Sequence, residues 1–176
     1  MDVVLLDKNS IKVKGKNASL VVDPHVKTPK TNADAVIFLE SFKEGYDASR
    51  VDEHRVVLEG QGEYEVGGIK IHGQKSDGKY VYSFHFDNIN ILLGKISALD
   101  KSLQESQDYQ ILILNVDSEI NQSLITSFEA NLLILYGEGA SKENIKTLGK
   151  TESESLKKFS VVREKLPTEL QVVILG

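Results

Sequence analysis

Two hairpin signatures in succession restrict this chain's fold more than any other feature. In "GEYEVGGIKIHG" (62–73), Tyr64, Val66, Ile69 and Ile71 alternate with Glu65, Lys70 and His72 about a central Gly67-Gly68. Period-two alternation broken by two residues that accept positive φ specifies a tight β-hairpin. "KYVYSFHFDNINILLG" (79–94) repeats the device, with Asp87-Asn88 as the turn between an aromatic and an aliphatic strand. The middle of the chain is therefore expected to be a mostly antiparallel sheet.

The flanks extend this sheet in different ways. Upstream, "VVLL" (3–6), "IKVK" (11–14) and "SLVVD" (19–23) are β-rich runs separated by turn chemistry and read as a meander. "ADAVIFLE" (33–40) and "HRVVLEG" (54–60) read as interior strands joined by a short helix or loop. Downstream, "ISALDKSLQES" is helix-like, "YQILILNV" (109–116) and "NLLILYG" (131–137) are buried strands, and "SEINQSLITSFEA" (118–130) is an amphipathic helix opened by Ser118. "SKENIKTLGK" (141–150) begins at a capping Ser141 and stops at Gly149, giving a β–α–β–α half. The tail 156–176 returns to strands, with Pro167 at the corner between them.

At 176 residues the chain suits a single domain, 1–176, with a sizeable core. It has no cysteine, which excludes thiolate nucleophiles, disulfides and cysteine-ligated zinc. Its net charge of −5, without a long block of like charge, argues against nucleic acid as a partner. "MDVVLLDKNS" lacks the pattern of a signal peptide and no segment reaches the length of a membrane span, so a cytoplasmic protein is expected.

The order of meander, hairpins and strand–helix units resembles the metallo-β-lactamase fold. The resemblance rests on "ASLVVDPH" (18–25), a strand ending in Asp-Pro, on "ADAVIFLES" (33–41), the strand that delivers the metal loop, and on the hairpin "LEGQGEYEVGGIKIHG" (58–73). The hairpin and the tail 156–176 are similar to the branch related to ascorbate-6-phosphate lactonase. What the resemblance implies is an α+β fold, a four-layered αββα sandwich.

It also implies where a metal site would be. Catalytic members carry His-x-His-x-Asp-His after the delivering strand, and those positions fall here on Glu40, Phe42, Glu44 and Gly45. The bridging aspartate falls on Lys95 and the last histidine near Tyr136 and Gly137. Phe42 and Gly45 have no donor atom, a lysine repels the metals a carboxylate would bridge, and no histidine lies between His25 and His54 or after His85. The chain is thus expected to be a degenerate member with no metal, no cofactor and no catalytic residue.

The other polar residues have plain readings. His25 is expected in a solvent-facing loop, and His54, His72 and His85 on the surface or rim. Glu40, Glu44 and Asp47 form an acidic loop whose carboxylates would suit Ca²⁺ or Mg²⁺ only with further oxygen ligands. Glu63 and Glu65 belong to a structural hairpin. Gly139 and Ser141 read as ordinary helix entry, without the lysine and spacing of a phosphate loop. Tyr80, Tyr82, Phe84 and Phe86 share one face of one strand and are expected to pack in the core, or, if exposed, to anchor an interface. Three functions remain open: a binding or assembly module, contacting a protein partner or a second copy through sheet edges or the strand 80–86; a hydrolase using Glu40, Glu44 or Lys95; and a small-molecule or phosphate-sugar binder in the vacated cleft. Packing is expected to replace metal bonds in holding the loop, with Phe42 turned inward toward the old cleft.

Overall fold

The computed structural model describes residues 1–41, 43–104, 108–149 and 155–176. The chain opens with the meander β1 (Asp2–Leu5), β2 (Ile11–Lys14) and β3 (Ser19–Val22), followed by β4 (Thr31–Asn32), β5 (Ala35–Ile37), β6 (Val51–Asp52) and β7 (Val56–Leu58). The hairpins give β8 (Gly62–Val66), β9 (Ile69–Ser76), β10 (Lys79–Phe86) and β11 (Ile89–Lys95). The remaining elements are β12 (Ile111–Asn115), α1 (Gln122–Ser127), β13 (Leu132–Tyr136), α2 (Lys142–Thr147), β14 (Ser155–Leu156), β15 (Lys158–Ser160) and β16 (Gln171–Leu175).

These strands form two large sheets packed face to face. One has six strands in the order β15-β1-β2-β3-β5-β7, and the other eight in the order β14-β16-β13-β12-β11-β10-β9-β8. Hairpins make the β8–β11 half of the larger sheet antiparallel, whereas β11, β12, β13 and β16 run parallel because helical or looped crossovers connect them. The burial pattern follows from this difference. β12 and β13 are buried at every position, since one face meets the other sheet and the other face meets the helices.

Three apolar clusters fill the layers. The largest lies between the sheets and takes one face of each, including Leu20, Ile37, Leu93, Ile113 and Ile134. A second, with Leu112, Leu114, Leu133 and Leu135, sits under α1 and the 3₁₀ turns after β11, and a third, around Val21, Val36 and Phe38, backs the six-stranded sheet. The outer layer over this third cluster is a 3₁₀ turn (Ala48–Arg50) with the two-stranded pair β4-β6. The layer order is that of an α+β αββα sandwich with thin outer layers.

Tyr80, Tyr82, Phe84 and Phe86 all belong to the inter-sheet core, each 9 % exposed or less. Fully burying one such ring contributes on the order of 1.5–3 kcal/mol. The four rings of this strand are therefore core residues and not surface anchors. The Tyr82 hydroxyl also ties the sheets together, accepting from Gly60 N–H at 3.2 Å and lying 3.2 Å from the Phe38 carbonyl to which it donates.

Several boundaries differ from the sequence-based expectation. The segment after β11 forms two 3₁₀ turns, Ile96–Ala98 and Lys101–Gln104, in place of one helix, and residues 105–107 lie outside the described residues. Helix α1 starts after Asn121, whose side chain accepts from Leu124 N–H at 3.1 Å, so Asn121 and not Ser118 is the cap. At α2 the acceptor is Asn144, whose Oδ1 takes the Ser141 N–H at 2.6 Å. The hydroxyl of Ser141 also points to Asn144, at 3.3 Å, and so does not cap the helix.

Candidate functional site

The site begins where β3 and β5 run out together. Asp23 follows β3 in the left-handed region (φ 45), is 2 % exposed, and its Oδ1 accepts the Leu39 N–H at 2.9 Å. The Leu39 carbonyl in turn accepts Tyr80 N–H at 2.7 Å, and Glu40 bridges Lys79 on β10. The loop that follows is thus clamped to both sheets before it turns over the cleft.

Glu40 and Lys95 meet beneath this loop, where Lys95 reaches the cleft wall. The Lys95 ammonium, 6 % exposed at the end of β11, donates to Glu40 Oε1 at 2.6 Å. The same oxygen accepts the Tyr46 hydroxyl at 2.9 Å and lies 3.2 Å from the exposed Lys43. Burial pushes the Glu40 carboxyl up, but hydrogen bonds from Lys95, Tyr46 and Lys43 outweigh it and hold the group below its usual range. The lysine expected to repel metals has a second role that the sequence did not disclose, as the ion-pair partner of the first ligand position.

The third histidine position is closed by the backbone itself. Gly45 has φ +94, and a Cβ there would lie 2.1 Å from Nε2 of His25. A histidine could occupy position 45 only if His25 and the loop both moved. His25 accordingly is half-buried against the loop, paired with Tyr46 through a β-bridge, and is not the solvent-facing residue expected. Its backbone N–H donates to Thr28 Oγ1 at 2.8 Å, and Thr28 bonds onward to Asp7.

At the other ligand positions, Tyr136 is fully buried and Gly137 packs against the Asn115 amide. Glu44 is exposed at the cleft rim, and Asp47 caps the 3₁₀ turn by accepting Ser49 N–H at 3.0 Å. Glu40, Glu44 and Asp47 therefore do not converge on a common cation. Phe42 lies outside the described residues. Among the described residues, no group of three or more His, Asp or Glu side chains gathers as metal ligands. With an ammonium on Glu40 and glycines at two histidine positions, the residues present do not fit a zinc centre.

Asp23, Asn115 and Tyr46 are site residues the sequence reading missed. A signal for one of them existed: Lys95, Asn115 and Tyr136 each end an apolar run, "ILLGK", "ILILN" and "LLILY". In the parallel sheet these ends fall side by side, with Lys95 opposite Asn115 and Asn115 opposite Tyr136. Burial drives the Asp23 carboxyl up to about 7 and also raises the Tyr136 and Tyr46 hydroxyls. The Tyr136 hydroxyl has no hydrogen-bond partner, although the Asn115 amide faces it. Beside this row, Asp117 accepts from Ser97 Oγ at 2.6 Å and pairs with Lys79 at 3.1 Å; burial raises its carboxyl, and these hydrogen bonds reverse that. The cleft above these groups has a volume of about 1000 Å³.

Neither a family model nor a curated protein matches the sequence. Solved structures do. A protein of Thermotoga maritima described as a Zn-dependent hydrolase of the metallo-β-lactamase superfamily superposes with a TM-score of 0.76 at 17 % identity, covering 99 % of this chain and 98 % of that one. One of Parabacteroides distasonis, described as a metal-dependent hydrolase, gives 0.63 at 14 % identity over 99 % and 93 %. A metallo-β-lactamase fold protein of Bacillus subtilis gives 0.58 at 10 % identity over 98 % and 95 %. Identities this low carry the architecture and not the activity. The chain has the metallo-β-lactamase fold.

Proposed function

We propose that this chain is a non-catalytic metallo-β-lactamase-fold protein that serves as a binding module, holding its ligand in the cleft where relatives hold metal. The observation that carries this reading is the Lys95 ammonium, 2.6 Å from Glu40 at the position of the bridging aspartate. Hydrolysis on this scaffold needs a metal-activated water and metal stabilisation of developing charge. Here the carboxylate and the ammonium neutralise one another, and His25 is wedged against Gly45. We also place the chain, on its 58–73 hairpin and its C-terminal segment, near the branch related to ascorbate-6-phosphate lactonase, as a degenerate member.

The cleft is the better candidate for the ligand than the outer surface. It is wide and polar, whereas the aromatic strand is buried and the exposed large apolar side chains, Val26, Val57 and Val162, are scattered. A protein partner or a second copy is left the sheet edges β7, β8, β14 and β15. The test is turnover of lactone, β-lactam and phosphodiester substrates with added Zn²⁺ or Mn²⁺. The reading expects none; metal-stimulated hydrolysis that disappears in Glu40→Gln or Lys95→Met overturns it in favour of an enzyme.

A further inference from the structure

The ligand class follows from where the cleft keeps its charge, and this step rests on the binding-module reading above. Seven carboxylic side chains line the cleft against four lysines among the described residues. Three of those lysines are already engaged: Lys95 and Lys43 lie 2.6 and 3.2 Å from Glu40, and Lys8 lies 3.8 Å from Glu138. The excess of negative charge gathers on one wall. Asp117 and Glu119 follow β12, Glu138 and Glu143 follow β13, and these strands are parallel neighbours whose C-terminal loops lie side by side. Asp117 pairs with Lys79 and Glu138 with the exposed Lys8, which leaves Glu119 and Glu143 without an ion-pair partner among the described residues.

Asp23 gives an independent sign of a ligand. It lines the cleft yet is 2 % exposed; the Leu39 N–H donates to its Oδ1, and its Oδ2 meets no hydrogen-bond donor of a described residue. Nor does it have a cation of its own, since the neighbouring Lys95 gives its hydrogen bond to Glu40. Burial accordingly holds the Asp23 carboxyl towards its neutral form, against the pull of Lys95 and Lys43. An ammonium entering the cleft supplies the absent counter-charge and donates to the free oxygen, a charge-assisted bond in a site shielded from water.

The form of the cation is set by how the carboxylates are distributed. Among the described residues no three acidic or histidine side chains converge, so a metal ion would find too few ligands. The cleft, at about 1000 Å³, also far exceeds one ion and matches a small organic molecule. Carboxylates spread from Asp23 to Glu119 and Glu143 suit a ligand whose positive charges are spaced along a flexible chain. A phosphate or carboxylate on that ligand would be repelled by the same wall, with Lys27 the one lining lysine that has no carboxylate partner among the described residues. We infer that the cleft binds a linear aliphatic polyamine, with one ammonium on Asp23 and the others along the carboxylates that follow β12 and β13.

The test is calorimetry on the intact chain with spermidine, butylamine, MgCl₂ and glucose 6-phosphate, in about 0.15 M NaCl, where a Debye length of about 8 Å suppresses diffuse counter-ion attraction. Saturable binding of spermidine at submillimolar concentration, at least about tenfold tighter than butylamine, supports the inference. Asp23→Asn, which keeps an oxygen for the Leu39 N–H, should weaken that binding about tenfold, the loss of one charge-assisted hydrogen bond. Glu119→Gln combined with Glu143→Gln, both exposed, should weaken it about threefold and leave the melting temperature unchanged. No saturation by spermidine at millimolar concentration, tighter binding of glucose 6-phosphate, equal binding of Mg²⁺, or undiminished affinity in Asp23→Asn overturns the inference. Each of these outcomes leaves the non-catalytic reading intact. Metal-stimulated hydrolysis that is lost in Glu40→Gln overturns that reading instead, whatever the spermidine titration gives.

Discussion

Removing either half of the Glu40–Lys95 pair should have unequal consequences, and the inequality measures how the cleft is held together. Lys95 is 6 % exposed, and among the described residues its one hydrogen bond runs to Glu40. Glu40→Leu therefore leaves an ammonium buried without its carboxylate partner, beside an Asp23 whose own carboxyl burial holds towards the neutral form. Breaking a buried pair in this way costs about 3 kcal/mol, a melting temperature lower by roughly 6–12 °C for a domain of this size. Lys95→Met, by contrast, leaves Glu40 with the Tyr46 hydroxyl at 2.9 Å and Lys43 at 3.2 Å, at a cost of about 1 kcal/mol. The double variant replaces two charges by apolar groups of similar volume and should return to within about 1 kcal/mol of the parent. Urea unfolding of the four proteins gives the coupling energy directly. Equal costs for the two single variants, or a double variant as unstable as their sum, would refute the ion pair as the tie beneath the loop.

Asp23 should give stability an inverted pH dependence. Its folded pKa of about 7 exceeds the ordinary aspartate value of 3.8, so between those values the folded state holds a proton the unfolded chain has lost. The group's contribution therefore falls as pH rises through that window and is level above it, a change on the order of 4 kcal/mol. Asp23→Asn, which tolerates φ 45 and keeps an oxygen for Leu39 N–H, should match the parent at pH 4 and exceed it at pH 8; parallel stability curves would count against a buried, protonated Asp23. Gly45→Ala should cost about 2 kcal/mol through its positive φ and the His25 ring, and distinctly less in a His25→Ala background. Identical costs in the two backgrounds, by thermal melts, would mean the ring does not fill that space. Glu40 itself, held below its usual range, should contribute stability that is lost as pH falls through its folded pKa, and Tyr46→Phe should move that loss to higher pH.

The elements that rest on local rules were legible from the residues. Gly67-Gly68 and Asp87-Asn88 specify two-residue turns without help from the rest of the chain, and both hairpins form there, with Asp87 and Asn88 at φ 50 and 65. The stretch 96–104 misled because its apolar spacing fits a helix, while its residues form two separate 3₁₀ turns that bury Ile96 and Ala98 in the first. Ser118 misled for a related reason: two residues in this segment can cap, and Asn121 is the one whose position matches the buried Ile125. Within the site, the absence of zinc donors could be read position by position. The Glu40–Lys95 pair could not, because its members are separated by 55 residues and meet only when β11 lies under the loop. Asn115 looks like an ordinary strand end until the register sets it between Lys95 and Tyr136, and Asp23 until the loop folds back so that Leu39 N–H meets its carboxylate.

The account depends most on the claim that an ion pair and a packed glycine stand where this fold elsewhere holds zinc. Purified protein equilibrated with excess Zn²⁺, then dialysed against metal-free buffer and submitted to elemental analysis, tests that claim without reference to any substrate. The account predicts zinc far below stoichiometric, unchanged in Lys95→Met. About one zinc per chain, lost on substituting Glu40, would contradict it.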